Sequence, residues 1–173
     1  GGIYFYLHWE RKQPWPATFE WDDTAPKVTV LLPCYNEEAN VNETIHHLFK
    51  QNYPFMEVIA VNDGSKDDTA SLLDALALQY PALKVLHQDN QGKASAMNHG
   101  LSQATGDIIV GIDGDAILDY DAIGYMVGHF LSSPKVSGVT GNPRVRTRST
   151  AIGKIQTGEF SAIIGLIKRA QRI

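Results

Sequence analysis

Apolar residues in this chain fall into short runs and into stretches where they recur every three or four positions, with polar turns between the two kinds. The β-branched run at 28–32, stopped by Pro33, predicts a first strand. A helix follows in which Val41, Ile45, Leu48 and Phe49 share one side, with Asn40 or Asn42 as its cap and the Asn52-Tyr53-Pro54 break as its end. Residues 57–62 predict a second strand, and Leu72, Leu73, Leu76 and Leu78 a second helix. A short strand over 83–86 precedes a helix opened at 88–93 that carries Ala94, Ala96, Met97 and Leu101. The run Ile108, Ile109, Val110, Gly111, Ile112 predicts a fourth, fully buried strand.

Strands alternating with helices imply βαβ crossovers and a mainly parallel sheet covered on both faces, an α/β fold. The loops after successive strands then share one edge of the sheet, the edge where open α/β folds bind ligands. Three of those loops are polar and turn-prone: Tyr35-Asn36-Glu37, Asp63-Gly64-Ser65 and Asp113-Gly114-Asp115. With Gly114 bending the backbone, the carboxylates of Asp113 and Asp115 reach one small volume, where their repulsion calls for a cation. Hard carboxylate oxygens suit Mg²⁺ or Mn²⁺ bridging to substrate phosphates, although Asp and Gly are also ordinary turn formers. The dinucleotide fingerprint Gly-x-Gly-x-x-Gly is absent after the first strand, as is a Gly-x-x-x-x-Gly-Lys-Ser/Thr loop anywhere, which sets aside Rossmann dehydrogenases and P-loop kinases.

The length of 173 residues suits one domain, and a net charge of −4 gives no overall drive toward nucleic acid. The single cysteine, Cys34, excludes an internal disulfide and reads as a small buried thiol. No apolar run reaches the length of a membrane span. Residues 1–12 nonetheless crowd Ile3, Tyr4, Phe5, Tyr6, Leu7 and Trp9 before Arg11 and Lys12. That order suits the end of a membrane helix, and equally an element packed on the domain. Residues 13–26 read as a linker. Arg144, Arg146 and Arg148 share one face of an extended segment, and the basic amphipathic stretch from Ile152 suits either a membrane surface or a core-packing helix. The histidines, His46-His47 included, lack ligand spacing.

Four motifs in order carry a resemblance: Pro33-x-Tyr35-Asn36-Glu37; Asn62-Asp63-Gly64-Ser65-x-Asp67-x-Thr69; Asn90-x-Gly92-Lys93-x-x-Ala96-x-Asn98-x-Gly100; and Asp113-Gly114-Asp115. Over residues 27–173 the chain resembles the nucleotide-sugar half of a family-2 glycosyltransferase. The segments at 140–148 and 153–159 make it similar, more narrowly, to bacterial synthases of β-1,6-linked poly-N-acetylglucosamine. The resemblance implies a GT-A fold, truncated here, and inverting transfer of N-acetylglucosamine from UDP-GlcNAc to a growing exopolysaccharide of biofilms. It implies that Pro33, Tyr35, Glu37, Asp63, Lys93 and Asp113 bind the donor nucleotide. Asp113 and Asp115 then serve catalysis, with Asp115 on the Mg²⁺ or Mn²⁺ cofactor. The implied partners are a UDP-sugar, a polysaccharide acceptor, the membrane and an accessory membrane subunit, with no nucleic acid. The implied location is the bacterial inner (cytoplasmic) membrane, with the catalytic domain facing the cytoplasm. The family's general base lies in a Thr-Glu-Asp motif that this sequence lacks, as it lacks Gln-x-x-Arg-Trp, and Glu159 gives no reason to replace it. The chain therefore reads as a fragment with negligible polymerisation of its own. Another family-2 transferase, of the hyaluronan, chitin or cellulose type or non-processive, and a non-catalytic nucleotide-binding module are the alternative readings.

Overall fold

The structure, a computed structural model, describes residues 20–132, 136–139 and 141. Within the unit Glu20–Gly138, four strands alternate with four helices: β1 (Val28–Cys34), α1 (Val41–Leu48), β2 (Met56–Asp63), α2 (Thr69–Gln79), β3 (Leu83–Gln88), α3 (Lys93–Leu101), β4 (Ile108–Gly111) and α4 (Ala122–Leu131). All three strand pairings are parallel, in the order β3-β2-β1-β4. The membrane-helix reading of 1–12, the linker over 13–19, the arginines at 144–148, Glu159 and the basic helix from Ile152 lie outside the described residues. Among the described residues no helix is long and apolar enough to cross a membrane.

Period-2 alternation sorts each central strand onto two cores. Val28, Val30, Leu32 and Cys34 of β1 join Val58 and Ala60 of β2 under α1, α2 and α4, where Val41, Ile45, Leu48, Leu73, Leu76, Ile123 and Val127 close the layer. On the opposite face Leu31, Ile59 and Val61 pack against Ala96 of α3. Each Val, Leu or Ile side chain buried in this way contributes about 1.5–3 kcal/mol. Ala96 is fully buried, and a Cβ at Gly100 would stand 3.1 Å from Leu31 Cδ2, so these two motif residues serve the close packing of α3 on the sheet.

Three expectations are corrected. The run at 108–112 is not a fully buried strand: β4 pairs only with β1 among the described residues, Val110 alone is buried, and Ile109 is 40% exposed. An apolar run reports composition, and the sheet order decides burial. Pro33 does not stop β1, which continues to Cys34. The Leu31 carbonyl accepts from Ile112 N–H on the β4 side, and Pro33 turns its missing N–H to that same side, past the last β1–β4 pair. Asn40 stands at the N-cap position of α1, yet its amide donates to Glu37 (2.9 Å) and caps nothing. Residues 20–26, the end of the segment read as linker, contain a turn closed by Asp22 and Thr24, and Trp21 meets the Tyr53 ring edge-on at 4.9 Å.

The chain runs outward from β1 through β2 to β3 with α1 and α2 on one face, then returns over the other face through α3 to β4. The direction of winding therefore reverses between β1 and β4. In doubly wound sheets that reversal opens a crevice at the carboxyl ends of the strands.

Candidate functional site

A cleft lies at that reversal, lined by Pro33, Cys34, Tyr35, Glu37, Asp63, Lys93, Asp113 and Gly114. All six residues assigned to a donor nucleotide line it. Asp115, assigned to a metal, is exposed and stands outside the lining.

Asp63 ends β2 opposite Gln88, the last residue of β3. It is 3% exposed, and the β3–α3 loop folds around its carboxylate. Oδ1 accepts from Gln88 Nε2 (2.8 Å) and Gln91 N–H (2.9 Å), and Oδ2 accepts from Gly92 N–H (2.8 Å). Burial pushes the acid's pKa up, but these three donors together outweigh it and hold the carboxyl below its ordinary range. Gly64, just beyond, adopts φ 66°, and a Cβ there would lie 2.6 Å from Asn90 N, so only glycine lets the two loops cross.

Lys93 opens α3 and reaches across the cleft to pair with Asp113 Oδ1, both side chains being more than half exposed. The Asp113-Gly114-Asp115 turn is fastened from below, where Thr44 of α1 donates its hydroxyl to the Gly114 carbonyl (3.0 Å). Gly114 is required for its size: a Cβ would stand 2.9 Å from Glu37 Cγ and 3.3 Å from the Pro33 carbonyl, whereas its φ lies outside the left-handed region. The bend expected of it is instead a close approach. Tyr35 is 44% exposed at the mouth. Cys34 is buried, its thiol donates to the Leu32 carbonyl (3.6 Å), and burial, reinforced by the Glu37 carboxylate, pushes its pKa up to about 12. A thiol so protonated is no nucleophile.

Sequence reasoning missed the side chains that hold the loops together. Asn36, at φ 55°, accepts from Lys66 N–H through Oδ1 (2.8 Å) while its own N–H donates to Ser65 Oγ (3.0 Å). Glu37 N–H donates to Thr69 Oγ1 (2.8 Å), Glu38 N–H to Asp67 (3.1 Å), and Asp68 N–H returns a bond to Glu38 (3.1 Å). The Asn36, Ser65, Asp67 and Thr69 of the motifs are thus a clamp between the β1–α1 and β2–α2 loops. The one available signal was Asn36, since Asn is among the few residues that tolerate a positive φ.

Among the described residues no group of three or more His, Cys, Asp or Glu side chains is placed to hold a metal. Asp113 and Asp115 are both exposed on either side of Gly114, and Asp113 is paired with Lys93.

The Glycosyl transferase family 2 profile matches residues 29–169. A poly-β-1,6-N-acetyl-D-glucosamine synthase of Staphylococcus aureus is 40% identical over 174 aligned positions, covering all of this chain and 42% of the relative. That of Staphylococcus epidermidis is 41% identical over 146 positions, 84% of this chain and 35% of the relative. The chain thus spans about two fifths of the length of these relatives. Among solved structures, the mannosyltransferase PcManGT from Pyrobaculum calidifontis, in complex with GDP-Man and Mn²⁺, superposes with a TM-score of 0.62 at 32% identity, over 78% of this chain and 41% of that one. S. aureus TarS 1-349 in complex with UDP-GlcNAc gives a TM-score of 0.58 at 26% identity, over 72% and 39%. With its parallel sheet, its cleft at the winding reversal and its ordered motifs, the chain belongs to glycosyl transferase family 2.

Proposed function

We infer that this chain is the donor-binding part of an inverting N-acetylglucosaminyltransferase that extends a β-1,6-linked exopolysaccharide from UDP-GlcNAc. The observation that carries this reading is the convergence of Asp63, Lys93, Asp113 and Tyr35 on one cleft at the carboxyl edge of the sheet. The two staphylococcal synthases and the UDP-GlcNAc complex of TarS support the choice of sugar and product.

In this reading Asp63 accepts from the uracil imide and Tyr35 borders the base. Asp113 faces the ribose and diphosphate, and Asp115 holds the divalent cation. The cation's chemistry is to offset the charge that the leaving UDP gains as the glycosidic bond breaks. Lys93 adds a positive charge on the same side, which first requires it to leave Asp113. The proton of the attacking hydroxyl is assigned to no residue of this chain. Placement at the bacterial cytoplasmic membrane, with the domain on the cytoplasmic side and an accessory membrane subunit, belongs to the same proposal; it rests on the aromatic and basic residues 1–12 and on the likeness to the synthases.

Calorimetric titration of UDP and UDP-GlcNAc into the folded chain, with Mn²⁺ and again with excess chelator, tests the reading. Metal-dependent binding that Asp63→Asn weakens is the expected result. Absence of binding by a folded chain would overturn it.

A further inference from the structure

The fold does not choose the nucleobase, because its solved neighbours hold GDP-Man in one case and UDP-GlcNAc in another. The choice must lie in side chains that meet the base edge. Asp63 is the buried acid at that place, and what it offers a ligand follows from counting its acceptor sites.

A carboxylate oxygen has two lone-pair sites. Oδ1 of Asp63 has both filled, by Gln88 Nε2 at 2.8 Å and by Gln91 N–H at 2.9 Å. Oδ2 has one filled, by Gly92 N–H at 2.8 Å. One site remains. Two of the three donors are backbone groups, that of Gly92 held at φ 88° where glycine is favoured; Gln88 is the one side-chain donor. Its amide also donates to Ser95 Oγ (3.3 Å), which leaves Oε1 as the atom facing His99 Nδ1 at 3.0 Å. The acceptor-only carboxylate of Asp63 sets which end of the amide it meets, and His99, donating from Nδ1 to Oε1, braces the amide in that direction.

We propose that Gln88 is a positioning residue that sets base specificity: by filling Oδ1 together with Gln91 N–H, it leaves Asp63 a single acceptor site for the base. A single acceptor matches a ring that presents one N–H, as uracil does at its imide. Guanine presents two adjacent donors, a ring N–H and an exocyclic amine, which a carboxylate satisfies through both oxygens. With Oδ1 occupied, Asp63 satisfies one guanine donor and not the adjacent one, and specificity arises from that mismatch. The proposal rests on the reading above, that the cleft takes a nucleoside diphosphate with its base at Asp63.

The test is calorimetric titration of UDP and of GDP, each with Mn²⁺, into the parent chain, Gln88→Met and His99→Leu, with circular dichroism as the check of folding. The parent is expected to bind UDP at least about tenfold more tightly than GDP. Gln88→Met, similar in volume and without the donor, is expected to narrow that ratio about fivefold or more, with GDP binding unchanged or tighter. His99→Leu, which frees the amide without removing it, is expected to narrow it less. An unchanged ratio in a folded Gln88→Met variant, or an equal loss for both nucleotides, overturns the proposal, since a merely structural role predicts the latter. If Gln88→Met does not fold, His99→Leu decides by the same ratio. A parent that prefers GDP also overturns it. A parent that binds neither nucleotide overturns the donor-cleft reading and this proposal with it.

Discussion

The two ends of the parallel sheet both hold an acid of β2 by several hydrogen bonds, yet they are built differently. At the amino end the Glu57 carboxylate accepts from the Thr29 hydroxyl, from Thr105 N–H (2.8 Å) and hydroxyl (2.9 Å), and from the Lys27 ammonium (3.0 Å). Gly106 N–H returns to Thr29 Oγ1 (2.9 Å), and these bonds tie β1, β2 and the segment before β4 to one another. Glu57 is held at about 2: burial raises it, and the bonds from Thr29, Thr105 and Lys27 outweigh that. At the carboxyl end Asp63 keeps one acceptor site open, Lys93 and Asp113 pair in the open, and Tyr35 faces solvent. A polar network that joins strands to one another holds a fold together. One that lines an open cleft is suited to a ligand.

Mutations sharpen that contrast. Glu57→Ala should cost about 3 kcal/mol of stability in urea titration, the scale of the depressed acid, and leave UDP affinity unchanged. Because the folded-state pKa of Glu57 lies below the ordinary 4.5, its contribution is full above that pH and is lost as the pH falls toward about 2. Stability measured at pH 7 and pH 3 should therefore differ less in the variant than in the parent. Asp63→Asn should act on binding as well, lowering UDP affinity by about 2 kcal/mol or more even with chelator present because the base loses its carboxylate acceptor, and costing stability because Gln91 and Gly92 N–H lose theirs. A variant that binds UDP as the parent does would dissolve the distinction between the two ends. Asp115→Asn should lower only the metal-dependent part of UDP binding, about tenfold, leaving the affinity in chelator untouched. Asn36→Ala should have the smallest effect, about 1 kcal/mol of stability and a modest loss of UDP affinity, because it removes one bond of the loop clamp.

The order of strands and helices was legible because each strand is a local apolar run and each loop a local polar one. The residues of the cleft were legible because turn-prone acids end those runs. What escaped was non-local. Nothing around Ile108–Gly111 says that it pairs on one side of β1, so its exposure was misread. Nothing around Gln88 says that its amide meets an acid 25 residues earlier. Gly114 was recognised as necessary, but the reason, the approach of Glu37 and Pro33, belongs to another segment. The motif residues Asn36, Asp67 and Thr69 were legible as a pattern and illegible as a clamp.

The sheet order also sets a sequence of events for the folding chain. Thr29 meets Glu57 across β1 and β2 at a separation of 28 residues, whereas Lys27 meets Asp107 at the start of β4 at a separation of 80. Closing the longer loop costs about 1 kcal/mol more in chain entropy, and non-local pairing is slow in proportion. The β1–β2 pair is therefore expected to form before β4 docks. Since Val58 N–H donates to the Ala82 carbonyl on the β3 side, alternation turns the Ile59 amide toward β1, and pulse-labelled hydrogen exchange should protect it earlier than that of Val110. Until β4 arrives, Asp113 has no Lys93 to face. The capacity to bind a ligand at this edge is the last property the domain acquires as it folds and the first it loses as it frays.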